Sequence, residues 1–213
     1  MLPTRTKKLP VGTLLLGGLF ILLMFATWLL LKRPEPPAEL QAVINPQLKQ
    51  LQPFSLDSSH GPFSEQDFMH RWSFVFFGYT SCPDICPTTL STLNQVFSLL
   101  QDDQGEQENV QIIFVSVDPA RDTVAKLAEY VGYFNQSFIG ATASTKRIEL
   151  FAKQFGAGFI IEPETAPEQY IVIHTSAIFL VDPLGRQVAT FSQPHYAATI
   201  HAQFKKIRQY FAE

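Results

Sequence analysis

Cys82 and Cys86 are the only thiols in a chain of 213 residues. They stand four apart in Phe77-Gly78-Tyr79-Thr80-Ser81-Cys82-Pro83-Asp84-Ile85-Cys86-Pro87. Two sulfurs this close can share a metal ion, or join and part as a disulfide. A purely structural disulfide is a poor use of the pair, because closing so small a ring removes only about 2 kcal/mol of chain entropy. A structural zinc site wants four protein ligands, and only two thiols exist. Pro87 cannot extend a helix already running through Cys82, and it suits a first helical position. The spacing therefore predicts a helix beginning at Pro87, with Cys86 just before it and Cys82 in a strand-to-helix turn. Both sulfurs then lie near the positive end of the helix dipole, which favours the thiolate that binds metals and attacks disulfides. Asp84, between them, could tune the thiolates, meet a partner or simply form the turn.

The elements that would position this loop can be read around it. Trp72 to Tyr79 is aromatic and β-branched on both faces, the pattern of a central strand. Leu90, Leu93, Phe97 and Leu100 recur at helical spacing after the loop. Val110 to Val117 reads as a second buried strand, and Thr123 to Phe134 as a helix. A short strand at Phe138 to Ala141 is followed by a helix from Ser144 to Phe155, capped at Ser144 or Thr145. Ser176 to Val181 and Gln187 to Phe191 flank the turn Asp182-Pro183-Leu184-Gly185 as a hairpin. The last helix, about Tyr196 to Phe211, carries Tyr196, Ile200, Phe204, Ile207 and Phe211 as one apolar stripe. Alternating strands and helices of this kind make an α/β sandwich with a mixed sheet. Trp72 and the many phenylalanines are expected in its core.

Val11 to Leu31 carries no charge over about 21 residues, enough for a helix of about 30 Å, the thickness of a bilayer core. The alternative is a cleaved signal peptide, but the run is long for one and no small-x-small site follows it. Arg5, Lys7 and Lys8 precede the run, and Lys32 and Arg33 follow it. That slight bias places the amino terminus inside and the rest of the chain outside. The expected organisation is a basic cytoplasmic tail (1–10), a single-pass anchor (11–31), a Pro-rich spacer (32–50) and one folded domain (51–213). A bacterial inner membrane, with the domain facing the periplasm, fits the short basic tail. Beyond residue 33 lie all 19 acidic residues and 11 of the 16 basic ones, a formal charge of −8. Such a balance argues against nucleic-acid binding, which needs basic surface.

The cysteine segment resembles the signature of the SCO/SenC family of copper proteins. Three further pieces are similar to it: Ser116-Val117-Asp118-Pro119-Ala120-Arg121-Asp122-Thr123, Ile173-His174-Thr175, and Phe179-Leu180-Val181-Asp182-Pro183-Leu184-Gly185. The resemblance runs over roughly residues 50–211. It implies a thioredoxin-like fold, and copper ligation by Cys82, Cys86 and His174. It also implies a role in assembling the copper A centre of cytochrome c oxidase. The implied partners are the oxidase subunit that bears this centre and an upstream copper donor or thiol reductant. Two thiolates and an imidazole form a soft set suited to Cu(I) and able to hold Cu(II). Without the resemblance, His174 would read as an ordinary histidine at a strand edge. His60, His70, His195 and His201 read as solvated or capping residues, and residues 156–173 as a partner-facing loop.

Two functions follow. The first is a membrane-anchored metallochaperone, not an enzyme, that delivers copper. The second is a thiol–disulfide oxidoreductase, with Cys82 and Cys86 as its redox pair, keeping the target's cysteines reduced. The second gives His174 little to do, and the spacing departs from the CxxC of thioredoxin-type reductants. A copper or redox sensor is a third class without positive support in the sequence. Asp118, Arg121 and Asp122 form a charged loop in which an Arg–carboxylate pair could brace the site, with helix capping by Asp122 as the simpler role.

Overall fold

The computed structural model describes residues 11–31, 35–103, 109–163 and 170–212. It divides into two units, 1–37 and 38–213. The first contains helix α1 (Val11–Leu31), 21 residues without a charged side chain. The basic tail and Lys32, Arg33 and Pro34 lie outside the described residues, so the charge bias of the expected anchor is not among them. No helix among the described residues is long and apolar enough to cross a membrane.

The second unit contains β1 (Ile44–Gln50), β2 (Ser55–Ser58), β3 (Gly61–Ser64), β4 (Trp72–Gly78), α2 (Ile85–Asp102) and β5 (Val110–Ser116). There follow α3 (Val124–Phe134), β6 (Ile139–Thr142), α4 (Thr145–Gln154), β7 (Phe159–Ile161) and β8 (Val172–His174). The chain then closes with β9 (Ile178–Val181), β10 (Arg186–Phe191) and α5 (Ala197–Ala212). Eight strands form one sheet in the order β1-β10-β9-β4-β5-β6-β2-β3, and β7 with β8 forms a separate ribbon. β4, β5 and β6 run parallel, and β9 lies antiparallel to β4. This is the expected thioredoxin-like α/β sandwich with a mixed sheet.

The central strands are apolar on both faces because both faces are covered. On one face Phe74, Phe76, Ile112, Phe114 and Leu180 pack with Leu90, Leu93 and Val96 of α2, Leu127 of α3 and Phe204 of α5. On the other, Val75, Phe77, Ile113, Val115 and Phe179 pack with Ile148 and Phe151 of α4 and with Leu56, Phe63 and Phe68. The parallel succession β4-α2-β5-α3-β6 follows the right-handed crossover rule, which puts α2 and α3 on the same side. That geometry delivers the loop after β4 to the start of α2, at the strands' carboxyl ends, where α/β sheets place their sites.

Four expectations are corrected here. First, α2 begins at Ile85, so Cys86 lies inside its first turn and Pro87 is the third helical residue. The first four N–H groups of a helix have no intrahelical acceptor, so Pro87 sacrifices nothing there. The first intrahelical bond is from Thr88 N to Asp84 O, 3.2 Å. Second, α3 is capped by Thr123, whose side chain accepts from Lys126 N, and not by Asp122. Third, residues 44–50, read as spacer, form the edge strand β1 against β10. Fourth, Tyr196 is 63% exposed and does not join the stripe of α5, which buries Ile200, Phe204 and Ile207.

Candidate metal centre

β4 ends at Gly78, and a tight turn closed by Cys82 N donating to Tyr79 O (3.2 Å) feeds the chain into α2. Cys86 is fully buried against the sheet, while Cys82 is half-buried at the surface. A Cβ on Gly78 would come within 2.6 Å of Cys86 Sγ and 2.7 Å of the Phe114 ring. Only glycine lets the strand end this close to the thiol. Asp84 precedes α2 but makes no side-chain cap, and it is exposed. It stands in the turn.

His174 reaches the same spot from β8, 88 residues further along the chain. Its Nε2 lies 3.6 Å from Cys86 Sγ, and its Nδ1 lies 3.1 Å from the Thr175 carbonyl. A carbonyl only accepts, so Nδ1 donates to it, and Nε2 is the nitrogen that faces the thiols. The ring edges against Tyr79 at 5.9 Å and Phe76 at 6.1 Å, so it is walled by aromatic faces. Cys82, Cys86 and His174 thus offer two sulfurs and one nitrogen, all within 4.8 Å of one another. An ion with bonds of about 2.0–2.3 Å would hold its ligand atoms at most about 4.6 Å apart, so the donor set has close to metal-binding spacing. The two cysteines are not bridged to one another.

The Cys82 thiol is pushed down to about 4, first by the hydrogen bond it receives from Cys86, with burial opposing and backbone bonds from Cys86 and Asp84 assisting. Cys86 is driven far up, by that same bond and then by burial. At neutral pH the metal-free pair holds one negative charge, on Cys82, where the positive end of α2 meets it. Thiolate persists above the depressed value. Alkylation of Cys82 by iodoacetamide should therefore keep its neutral rate down to about pH 5 and fall as pH approaches about 4, with Cys86 unmodified. A rate that rises roughly tenfold per pH unit between about 6 and 8, as for an ordinary thiol, would contradict this assignment.

The loop from Asp118 to Asp122 supports the turn from below. The Asp122 carboxylate, its side chain fully buried, accepts from Thr80 N (2.9 Å), Ser116 Oγ (2.6 Å) and Lys126 Nζ (3.2 Å), and from the Thr80 hydroxyl. Asp118, equally buried, accepts from Arg121 Nε at 2.5 Å. The bracing Arg–carboxylate pair is thus present. Asp122 braces the cysteine turn and caps nothing.

The remaining histidines stand apart from the cysteines. His195 bonds Thr89 Oγ1 and the Phe191 carbonyl, and burial lowers its pKa. His201 pairs with Asp103, and His60 and His70 are exposed. Tyr79, Thr80 and Tyr170 were not singled out beforehand. Aromatic and hydroxyl residues beside a loop carry no sequence signal that separates them from core or turn. The segment expected to be partner-facing, 156–173, contains β7; its residues 164–169 lie outside the described ones.

Comparison with known proteins adds to this geometry. The SCO1/SenC family model matches residues 44–210. The mouse mitochondrial SCO2 homologue is 37% identical over 130 residues, which are 61% of this chain and 51% of that protein. The chain spans about half the length of such curated relatives. Copper-bound yeast Sco1 superposes with a TM-score of 0.70 at 30% identity, covering 77% of this chain and 90% of that one. Copper-bound Arabidopsis thaliana ScoI gives 0.68 at 32% identity, covering 74% and 98%.

Proposed function

The chain belongs to the SCO1/SenC family, and from that premise we propose that it carries copper on Cys82, Cys86 and His174 and delivers it to the copper A centre of cytochrome c oxidase during assembly. The observation that carries this reading is the convergence of Sγ, Sγ and Nε2 within 4.8 Å from two distant parts of the chain. Soft thiolates favour Cu(I), and an imidazole beside them lets the same set accept Cu(II). Here copper is cargo. A site with three protein ligands, one of them half-exposed Cys82, leaves an approach for a partner's thiolate to displace them one at a time. Transfer by ligand exchange needs that access, and Cys82 is the ligand that an acceptor meets first.

In the same reading α1 is a single-pass anchor in a bacterial inner membrane, with residues 38–213 on the periplasmic side. The support is the uncharged 21-residue helix and the flanking basic residues of the sequence. A membrane-held carrier restricts its search to the plane where its oxidase target resides.

The redox reading rests on a separate observation, the thiolate character of Cys82 with Cys86 as its neighbour. In that chemistry Cys82 attacks a target disulfide, one target sulfur leaves as thiol, and Cys86 then closes the Cys82–Cys86 bond and releases the second. Two electrons pass from this pair to the target. The two readings part in one experiment with a purified, soluble copper A-bearing oxidase domain. Copper-loaded chain mixed with the reduced, metal-free domain should transfer copper, and the Cys82→Ser chain should not. The reductase reading alone predicts instead that the reduced, metal-free chain opens the domain's disulfide and that copper does not move.

A further inference from the structure

We propose that Arg121 and Tyr170 form a positioning clamp that sets where His174 stands relative to the two cysteines. The proposal rests on the metal-site reading above and extends it to residues that touch no ligand atom.

His174 needs such a device because of the element that carries it. β7 and β8 are three residues each and, among the described residues, pair only with one another. A two-stranded ribbon is marginal on its own in water. Its outward face is apolar but solvated: Ile160 is 65% exposed and its cross-strand partner Ile173 is 53% exposed. That face therefore contributes little to holding the ribbon. Thr175 is tied to Gly158 through N–H to O at 3.0 Å, but this bond lies within the ribbon and moves with it. Its inward face packs Val172 and Phe159 against the core, and the remaining fixation has to hold the chain on either side of Val172.

Tyr170 supplies it from three sides. Its hydroxyl donates to Asp118 Oδ1 at 2.6 Å, its carbonyl accepts from Arg121 Nη1 at 3.1 Å, and the Arg121 guanidinium lies 3.6 Å from its ring centroid. Arg121 also reaches the Tyr79 ring at 5.6 Å, and Tyr79 is the ring that edges against His174. The anchor of the clamp is rigid. Asp118 is fully buried at the end of β5, its N–H bonded to Ser116 Oγ at 3.1 Å. Arg121 combines a planar fork for the carboxylate with a flat face for the ring, which a lysine cannot reproduce. Tyr170 stands four residues before His174, so about 13 Å of extended chain separates the clamp from the ligand. Buried Val172 lies between them. One short loop thus braces both halves of the site: Asp122 holds the cysteine turn, and Asp118 with Arg121 holds the histidine strand.

The test compares wild type, His174→Ala, Arg121→Ala and Arg121→Ala/His174→Ala as reduced full chains, titrated with Cu(I) against a competing chelator. Partners that orient a metal ligand are commonly worth tenfold to a hundredfold in affinity, and Arg121→Ala should lose about that much. If the clamp acts through His174, adding Arg121→Ala to His174→Ala should change affinity by no more than about twofold. An equal loss in both backgrounds, or no loss in either, overturns the proposal. A second readout needs no metal. Amide exchange should speed up at Val172 to Thr175 in Arg121→Ala while Ile178 to Val181 keep their protection, and unchanged exchange in both segments overturns it as well. If Arg121→Ala does not fold, Tyr170→Leu removes the hydroxyl and the stacked ring while keeping an apolar filler, and the same outcomes apply. Equal copper affinity in wild type and His174→Ala would instead refute the metal-site reading, and the exchange measurement would still decide the clamp.

Discussion

Asp122→Ala is expected to destabilise the folded domain by about 3–5 kcal/mol, the largest loss of stability for any single substitution near the site. The carboxylate is fully buried and gathers the Thr80 N–H, the Thr80 and Ser116 hydroxyls and the Lys126 ammonium around one point. A hydrogen bond to a charged group is worth about 1.5–3 kcal/mol, and a buried donor left without its acceptor adds its own desolvation cost. The Lys126 side chain is 45% exposed and can turn to water, so the loss comes from the buried N–H and hydroxyl donors and not from a buried ion pair. Asp122→Asn should recover only part of this, because its NH₂ end would face one of the donors the carboxylate now serves. Urea unfolding is the measurement. The midpoint should drop with the slope unchanged, and a loss below about 1 kcal/mol would show that the turn does not depend on this carboxylate. Because Thr80 is two residues before Cys82, the same variant should also blur the cysteine geometry.

How much of this was legible in the sequence depends on which physical signal each element leaves. β4 and β5 were legible because both their faces are covered, so every residue from Trp72 to Gly78 and from Val110 to Ser116 is buried. The helices were legible because one apolar stripe each faces the sheet. β1, β2 and β3 were not: β1 is long but mostly exposed, β2 and β3 are four residues each, and Ser55-Leu56-Asp57-Ser58 offers one fully buried apolar side chain to read. β7 and β8 left no signal at all, since their alternation puts isoleucines toward solvent.

The site divides in the same way. Cys82 and Cys86 announced themselves by number and spacing. The helix start was misplaced by two residues because proline is tolerated anywhere in the first turn and does not mark its first position uniquely. Asp122 was ambiguous between a cap and a brace, as Asp beside Thr always is. Only the tertiary contact with Thr80, 42 residues away, separates the two. His174 is silent in composition and periodicity, and only the family resemblance singled it out. Tyr170 leaves no signal in the sequence, because its partners Arg121 and Asp118 come from the distant loop after β5.

If His174 completes a three-ligand copper site with Cys82 and Cys86, its removal must show in copper affinity. Two thiolates alone make a two-coordinate site open to any competing thiol. The imidazole would supply the third bond, from a ring oriented by Thr175 and walled by Tyr79 and Phe76. Partners of a ligand are commonly worth tenfold to a hundredfold in affinity, so loss of the ligand itself should cost more than about a hundredfold. The direct measurement is a copper titration of the reduced chain, wild type beside His174→Ala, with Cu(I) read by chelator competition and Cu(II) by its thiolate charge-transfer absorption. One tightly held copper per wild-type chain is expected, and for His174→Ala an affinity lower by more than about a hundredfold with no stable charge-transfer band. Equal binding by the two proteins, or no tight binding by either, would contradict it.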